Sequence, residues 1–350
     1  MSRLRVAVLT HEDLVPPESR EGLDAKELQR TKTEYDVVHA VDALGHERRV
    51  VGVSWDLLPI RRVVEEWKPH VVFNLLMEFR DVGVFQAHVA GYLELLGAHY
   101  SGCNPRGIML SRDKVLSKKI LRFHRIPTPA FAVYRPGREV RPRRWLAFPQ
   151  IVKSVDEEAS LGIAQASVVR DADQLRARVA FIHDHVGSDA LVEEYIHGRE
   201  LTVSVLGNAR LQTFPVWEMV FENLPDGSVP IATERAKWDL AYQKRVGIDT
   251  RAARGLSAER RSRIAALARR VYRALGLSGY ARVDLRLADD GRVFVIEANA
   301  TPDIANDEDF ASSAAATGIA YPALIQRVLN LGRRYRPPYK RGAPAAPSGT

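Results

Sequence analysis

The chain has 350 residues, 46% of them hydrophobic, enough to bury a sizeable core and to divide into two or three domains. No apolar run approaches the ~18 residues of a membrane span, and no signal-peptide pattern stands at the N-terminus. The one cysteine, Cys103, excludes an internal disulfide, so a soluble cytoplasmic protein is expected.

The net charge of +8 fits nucleic acid or an anionic small ligand such as a nucleotide, but much of the excess is local. Part lies in Leu331 to Thr350, basic and then rich in Pro, Ala and Gly, which reads as a flexible tail. Part lies in Arg251 to Arg273, where Ile264, Leu267, Val271, Ala274 and Leu275 follow helical spacing and leave an arginine face to solvent. Nucleic acid is therefore not the expected partner.

From residue 4, strand and helix signals alternate: Leu4 to Leu9, a helix near Asp24 to Leu44, Arg49 to Val53, a helix near Ile60 to Trp67, Val71 to Leu75, and a helix near Val84 to Leu96. That alternation predicts a small three-layer α/β domain on a parallel sheet. No G-x-G-x-x-G follows the first strand, so a dinucleotide site has no support. The stretch S-G-C-N-P-R-G after Tyr100 reads as a break between domains. A helix over Ser111 to Phe123 follows, then Ile126-Pro127-Thr128-Pro129, which cannot be helical.

The next region reads as antiparallel: Ala130 to Tyr134, Phe148 to Lys153, Ala164 to Val169, a helix at Asp171 to His183, and Ala190 to Tyr195. Lys153 ends a strand beside the loop Ser154 to Gly162, a setting in which an ammonium and exposed backbone N–H groups suit a phosphate. A surface lysine before an ordinary turn would look the same. Glu193 and Glu200 then flank a short polar link between two apolar strands. Such a link can read a purine edge while a carboxylate holds a ribose diol; two glutamates on a solvated face are the alternative.

Tyr280 to Leu287 and Arg292 to Ala298 flank Ala288-Asp289-Asp290-Gly291, and Asp-Gly between such runs signals a β-hairpin. Alternation puts Arg282, Asp284 and Arg286 on one face of the first strand, and Glu297 and Asn299 on one face of the second. If the faces coincide, Asp284, Glu297 and Asn299 form an oxygen set suited to Mg²⁺ beside a cation, Arg282.

The order of these features resembles the ATP-grasp superfamily, in particular the D-alanine–D-alanine ligase-like carboxylate–amine ligases. The resemblance covers roughly residues 70 to 332. It rests on L-S-R-D-K (110–114), I-P-T-P (126–129), F-P-Q-I-V-K (148–153), L-V-E-E-Y-I-H-G-R-E (191–200), G-Y-A-R-V-D (279–284), V-I-E-A-N (295–299) and G-I-A-Y-P-A-L-I (318–325).

It implies an α/β (α+β) ATP-grasp fold with an N-terminal three-layer pre-ATP-grasp domain over 1–105. A central subdomain over 106–195, a C-terminal subdomain with the metal site over 196–335, and a flexible tail over 336–350 would follow. By this resemblance Lys114 and Lys153 hold ATP phosphates and the Ser160-Leu161-Gly162 loop closes over them. Glu193, Tyr195 and Ile196 meet adenine, with Ile296 beside them, and Glu200 takes the ribose hydroxyls. Lys237, in A-T-E-R-A-K-W-D, reaches the phosphates, and Arg282 faces the transferred phosphoryl group. Arg282, Lys237 and Ser160 are the implied catalytic set. Asp284, Glu297 and Asn299 hold two Mg²⁺ ions, with Mn²⁺ able to substitute.

The implied activity is amide formation: ATP phosphorylates a carboxylate and an amine attacks the acyl phosphate. A true D-alanine–D-alanine ligase, a relative acting on bicarbonate or a central-metabolic acid, and a non-catalytic ATP-binding protein are the alternatives. The expected partners are a small-molecule carboxylate and amine, with no membrane, and a homodimer is left open.

The substrate end departs from the family pattern. The family has a glutamate in a glycine-rich segment after the first strand and a histidine in a glycine-rich loop after the third. This chain reads L-T-H-E-D-L-V-P-P-E-S-R and N-L-L-M-E-F-R-D-V-G there. After the metal-binding Asn the family has a Pro-Gly step and a hydroxyl-bearing segment that holds the second substrate's carboxylate. Here Pro302 is followed by Asp303, Asp307, Glu308 and Asp309, which favours a cationic acceptor over D-alanine.

Overall fold

The structure, a computed structural model, describes residues 2–19, 21–22, 24–155 and 163–340. Strands β1 (Arg5–His11), β2 (Glu47–Val53) and β3 (Val71–Asn74) form a parallel sheet in the order β2-β1-β3. Helices α1 (Ala25–Arg30) and α2 (Lys32–Ala43) follow β1, α3 (Leu58–Arg62) follows β2, and α4 (Gln86–Leu95) follows β3. Val6 to Leu9 are fully buried because both faces of β1 are covered. Val6 and Val8 pack with Val37, Val38 and Val41 of α2, while Ala7 and Leu9 pack with Leu76 and Ala90 on the α4 side.

The stretch after Tyr100, expected to be a break, instead contains α5 (Pro105–Arg112). Asn104 caps it, accepting a hydrogen bond from Gly107 N, and Pro105 occupies the first turn, where its missing N–H costs nothing. After Asp113, α6 (Lys114–Phe123) leads into a four-stranded antiparallel sheet. Its strands are β4 (Phe131–Tyr134), β5 (Gln150–Ser154), β6 (Val168–Val169) and β7 (Ala190–Glu194), ordered β4-β7-β5-β6, with α7 (Ala172–Phe181) between β6 and β7.

Tyr195, Ile196 and His197 carry the chain to the third sheet. It comprises β8 (Gly198–Leu206), β9 (Gln212–Thr213), β10 (Trp217–Phe221), β11 (Ile248–Ala252), β12 (Tyr280–Ala288) and β13 (Val293–Asn299). The order is β11-β10-β8-β12-β13, with β9 on β8. Gly198 opens β8 at φ +132°, and a Cβ there would stand 2.0 Å from the Leu287 carbonyl oxygen, so the crossover requires glycine.

Helices α8 (Glu234–Trp238) and α9 (Leu240–Val246) precede β11, and α10 (Ala258–Ala274) follows it. The helix expected from Arg251 therefore starts later: Arg251 and Ala252 pair with β10, and Ser257 caps α10 by accepting from Arg260 N. Finally α11 (Asp309–Ala315) and α12 (Tyr321–Arg334) return to the first sheet, where Val328 and Leu329 join the core of Val6, Val8 and Phe73. The chain stays docked beyond Arg334: Pro337 is buried and Tyr339 Oη donates to Glu94 (3.0 Å). This part of the expected loose tail is thus packed, and residues 341–350 lie outside the described residues.

Candidate active site

The β12–β13 hairpin forms as the alternation and the Asp-Gly turn dictate. Arg282 pairs with Asn299 and Asp284 with Glu297, so all four share one face. On the other side of β12, Thr202 of β8 pairs with Asp284 and Glu200 with Arg286. Arg282 donates from Nε to Asp284 Oδ1 (2.7 Å) and from Nη2 to Oδ2 (3.0 Å). Burial opposes the charge of Arg282, but Asp284, Asp309 and Glu297 hold its pKa above the ordinary arginine range. Asn299 Oδ1 accepts from Thr301 N (2.9 Å). Two carboxylates and an amide oxygen on one face are a hard-oxygen donor set, and they fit Mg²⁺.

This face forms one wall of a cavity between the second and third sheets. The opposite wall brings Lys114, Ile151, Lys153, Ile163 and Glu193; Tyr195 and Ile196 line it from the link, and Glu200, Leu285, Arg286, Ile296 and Ile231 from the third sheet. Apolar walls with a few convergent charges suit a base and sugar with phosphates at one end.

Within the cavity Glu193 is shared by two lysines. Lys118 Nζ lies 2.5 Å from Oε1 and Lys153 Nζ 3.0 Å from Oε2. Lys118 also donates to Thr128 Oγ1 and to the Ile296 carbonyl, both at 3.0 Å. Burial is the largest influence at all three ionisable groups. It pushes Lys118 down, but the two ammonium groups overcome it at Glu193 and hold that carboxyl low, while Glu193 and Glu297 overcome it at Lys153 and hold that lysine high. The triad carries one net positive charge, which favours an anion.

The resemblance gave Glu193 to adenine. Glu193 does line the cavity, but its carboxylate is already engaged by Lys118 and Lys153, so its first role is to hold two ammonium groups in place. Lys114 is buried in the cavity wall. Ser160 and Leu161 lie outside the described residues, and Lys237 lies on α8, where its side chain is outside the description.

Two further residues engage side chains of the cavity: Lys118, which the sequence reading did not name, and Arg286, which it placed on the Asp284 face without a role. Lys118 sits four residues after Lys114, hence on the same helix face, and that spacing was the available signal. Arg286, two residues after Asp284 on the same strand face, donates to Glu200 Oε2 (3.2 Å), to the Gly198 carbonyl (2.9 Å) and to the Pro230 carbonyl (2.5 Å). It therefore ties Glu200 to the link between the second and third sheets.

The acidic segment after Asn299, read as favouring a cationic acceptor, is partly structural. Thr33 Oγ1 donates to Asp303 Oδ1 (2.8 Å), and Lys32 Nζ pairs with Asp36 (2.8 Å) and Asp307 (2.6 Å). Asn306 N donates to Asp36 Oδ2 (3.0 Å). Asp303 and Asp307 thus fasten the segment to α2. Glu308 caps α11 without a side-chain hydrogen bond, and Asp309 acts on Arg282.

Two β-sheets closing on one charged cavity are the ATP-grasp arrangement. A family model described as D-ala D-ala ligase C-terminus matches residues 123–330. An uncharacterised protein of Sinorhizobium fredii is 34% identical over 310 residues, covering 85% of this chain and 86% of its own length. A D-alanine–D-alanine ligase of Desulforudis audaxviator is 29% identical, covering 89% and 96%. The crystal structure of D-alanine–D-alanine ligase from Bacillus anthracis complexed with ATP superposes with a TM-score of 0.72 at 23% identity, covering 95% of this chain and 98% of that one. The chain belongs to the D-alanine–D-alanine ligase-like family of ATP-grasp ligases, which form carbon–nitrogen bonds. Among the described residues no helix is long and apolar enough to cross a membrane.

Proposed function

We propose that this protein is an ATP-dependent ligase that joins an amino-acid-like carboxylate to an amine other than D-alanine through an acyl phosphate. The observation that carries the reading is the in-register pair Asp284 and Glu297 facing Lys153 and Glu193 across one cavity. A carboxylate is a poor acyl donor, and phosphorylation makes it a good one. In such transfer the protein positions reactants and neutralises charge.

Lys114, Lys153 and Lys118 supply positive charge at the phosphate end. Tyr195, Ile196 and Ile296 bound the base, and Glu200, fixed by Arg286, takes the ribose. Asp284, Glu297 and Asn299 would hold Mg²⁺, which when bound neutralises phosphate charge. Arg282 stands at the end of this row, where it can face the carboxylate that accepts the phosphoryl group.

Synthesis of D-alanyl-D-alanine is the second reading, supported by the named relatives. Against it, Glu308 and Asp309 stand at the start of α11, where a substrate carboxylate would be repelled. The test supplies ATP and Mg²⁺ with panels of acids and amines and follows ADP release and product mass. An amide product other than D-alanyl-D-alanine, formed with ADP, is expected; ADP release with no acid–amine pair would overturn the ligase reading.

A further inference from the structure

Between β10 and α8, residues 228–234 run along the cavity and are tied to both of the sheets that enclose it. Ile231, 4% exposed, lines the cavity, and with Val229 it joins Ile151, Val168 and Tyr195 in one small apolar cluster. From the side of the second sheet Gln165 holds Val229 by both ends of its amide: Nε2 donates to the Val229 carbonyl (3.0 Å), and Oε1 accepts from Val229 N (2.9 Å). Glu234 N donates to the Ile163 carbonyl (2.9 Å). From the side of the third sheet Arg286 Nη2 donates to the Pro230 carbonyl (2.5 Å).

That same nitrogen donates to Glu200 Oε2 (3.2 Å), while Nη1 donates to the Gly198 carbonyl (2.9 Å). Arg286 is 5% exposed, and Glu200 is the carboxylate paired with it. A guanidinium is a rigid planar fork, so its bonds cannot be adjusted one at a time. A shift of Glu200 moves the nitrogen that holds Pro230, and a shift of the segment moves the nitrogen that holds Glu200. Glu200 Oε1 accepts no hydrogen bond among the described residues, and the side chain lines the cavity. Its second oxygen can therefore accept from a hydroxyl while the first stays on Arg286.

We propose that Arg286 is a positioning residue that couples the sugar of the bound nucleotide to residues 228–234, so that a diol on Glu200 holds the segment more firmly against the cavity. This rests on the reading of Glu200 as the ribose ligand above. The coupling is reciprocal: the sugar steadies the segment, and the segment tightens the grip on the sugar. A lysine at this position would keep the charge but lose the fork that joins the two bonds.

The test uses the full chain with Mg²⁺ and saturating adenylyl imidodiphosphate or its 2′,3′-dideoxy counterpart. Hydrogen–deuterium exchange is read by mass spectrometry in peptides covering residues 228–234, and affinity by calorimetry. In wild type the ribose form should bind about tenfold or more tightly, and should slow exchange in the segment about tenfold or more relative to the dideoxy form. Arg286→Lys and Arg286→Met should still bind both analogues and protect the segment equally with each. A merely structural role for Arg286 would lower protection with both analogues and keep their ratio.

Equal protection of the wild-type segment by the two saturating analogues overturns the proposal, whether or not a variant folds. So does a ratio unchanged in the folded Arg286→Lys chain. If the wild-type affinities are also equal, the placement of the ribose at Glu200 falls too; if they differ while protection does not, the proposal falls alone. Because exchange and affinity are read without turnover, an absence of ADP formation would count against the ligase reading alone.

Discussion

Asp284 on β12 and Glu297 on β13 are cross-strand partners, two carboxylates directly opposite each other in an antiparallel ladder. Like charges at such positions destabilise a hairpin unless a cation compensates them. Arg282 compensates Asp284, and Glu297 acts electrostatically on Lys118, Lys153 and Arg282. On the reading proposed above the pair serves as an ion cradle. Glu297→Gln is expected to cut Mg²⁺-dependent ADP formation by about 100-fold or more, with melting temperature nearly unchanged. Near-normal ADP release by the folded variant would rule the assignment out.

Glu193 couples Lys118 to Lys153, and removing one partner of a buried ion pair costs about 3–5 kcal/mol. Lys118→Met should therefore lower the melting temperature and weaken ATP binding. Glu193→Gln in the same chain should recover part of the stability, because no carboxylate is then left half-paired. Denaturant unfolding of both single variants and the double variant checks this. Additivity within about 0.5 kcal/mol would show that the triad does not act as a unit.

The hairpin and the shared face of Asp284, Glu297 and Asn299 were legible because both rest on local rules, an Asp-Gly turn and two-residue alternation. Lys153 and Glu200 could be placed from apolar runs that border a loop and a short polar link. For Lys118 the sequence offered only its spacing from Lys114, since the partners that give it meaning include Glu193 and Ile296, far along the chain. Helix α5 was hidden because Asn104-Pro105 is both a loop signal and a helix start. The fastening of Asp303 to Thr33 spans 270 residues and depends on how the third sheet and α12 pack on the first. No periodicity reports that.

Two carboxyls at this fastening make stability depend on pH. Burial, with repulsion from Asp303, pushes Glu34 up to about 7, against its own backbone N–H. Burial and Asp303, Asp309 and Asp307 likewise push Glu308 up to about 7, opposed by Lys32. Raised carboxyls bind protons more tightly in the folded state. Their stabilisation is full below the unfolded value of 4.5 and is lost as pH rises through about 7. The loss should be on the order of 1–3 kcal/mol per group. Melting curves from pH 5 to 8 should fall more steeply for wild type than for Glu34→Gln, and equal slopes would remove Glu34 from the account.

Glu308 and Asp309 begin α11 beside Arg282, whereas Asp303 and Asp307 are held by Thr33 and Lys32. On the reading proposed above, the two acids not fastened to α2 are the ones that would meet an incoming amine. Asp309, joined by Glu308 once the pH passes its raised value of about 7, would repel a free carboxylate and attract positive charge, so D-alanine should be a poor acceptor. A diamine, a basic amino acid or an amine without an α-carboxylate should be better by about tenfold or more in kcat/KM, which corresponds to about 1.4 kcal/mol. Glu308→Gln and Asp309→Asn should narrow that ratio while leaving ATP binding in place, and Asp307→Asn should instead act mainly on stability through Lys32. The measurement is phosphate release and product mass with matched donor acids and each class of amine. Efficient D-alanyl-D-alanine synthesis that ignores Glu308→Gln and Asp309→Asn would sink the cationic-acceptor reading and favour a cell-wall dipeptide ligase.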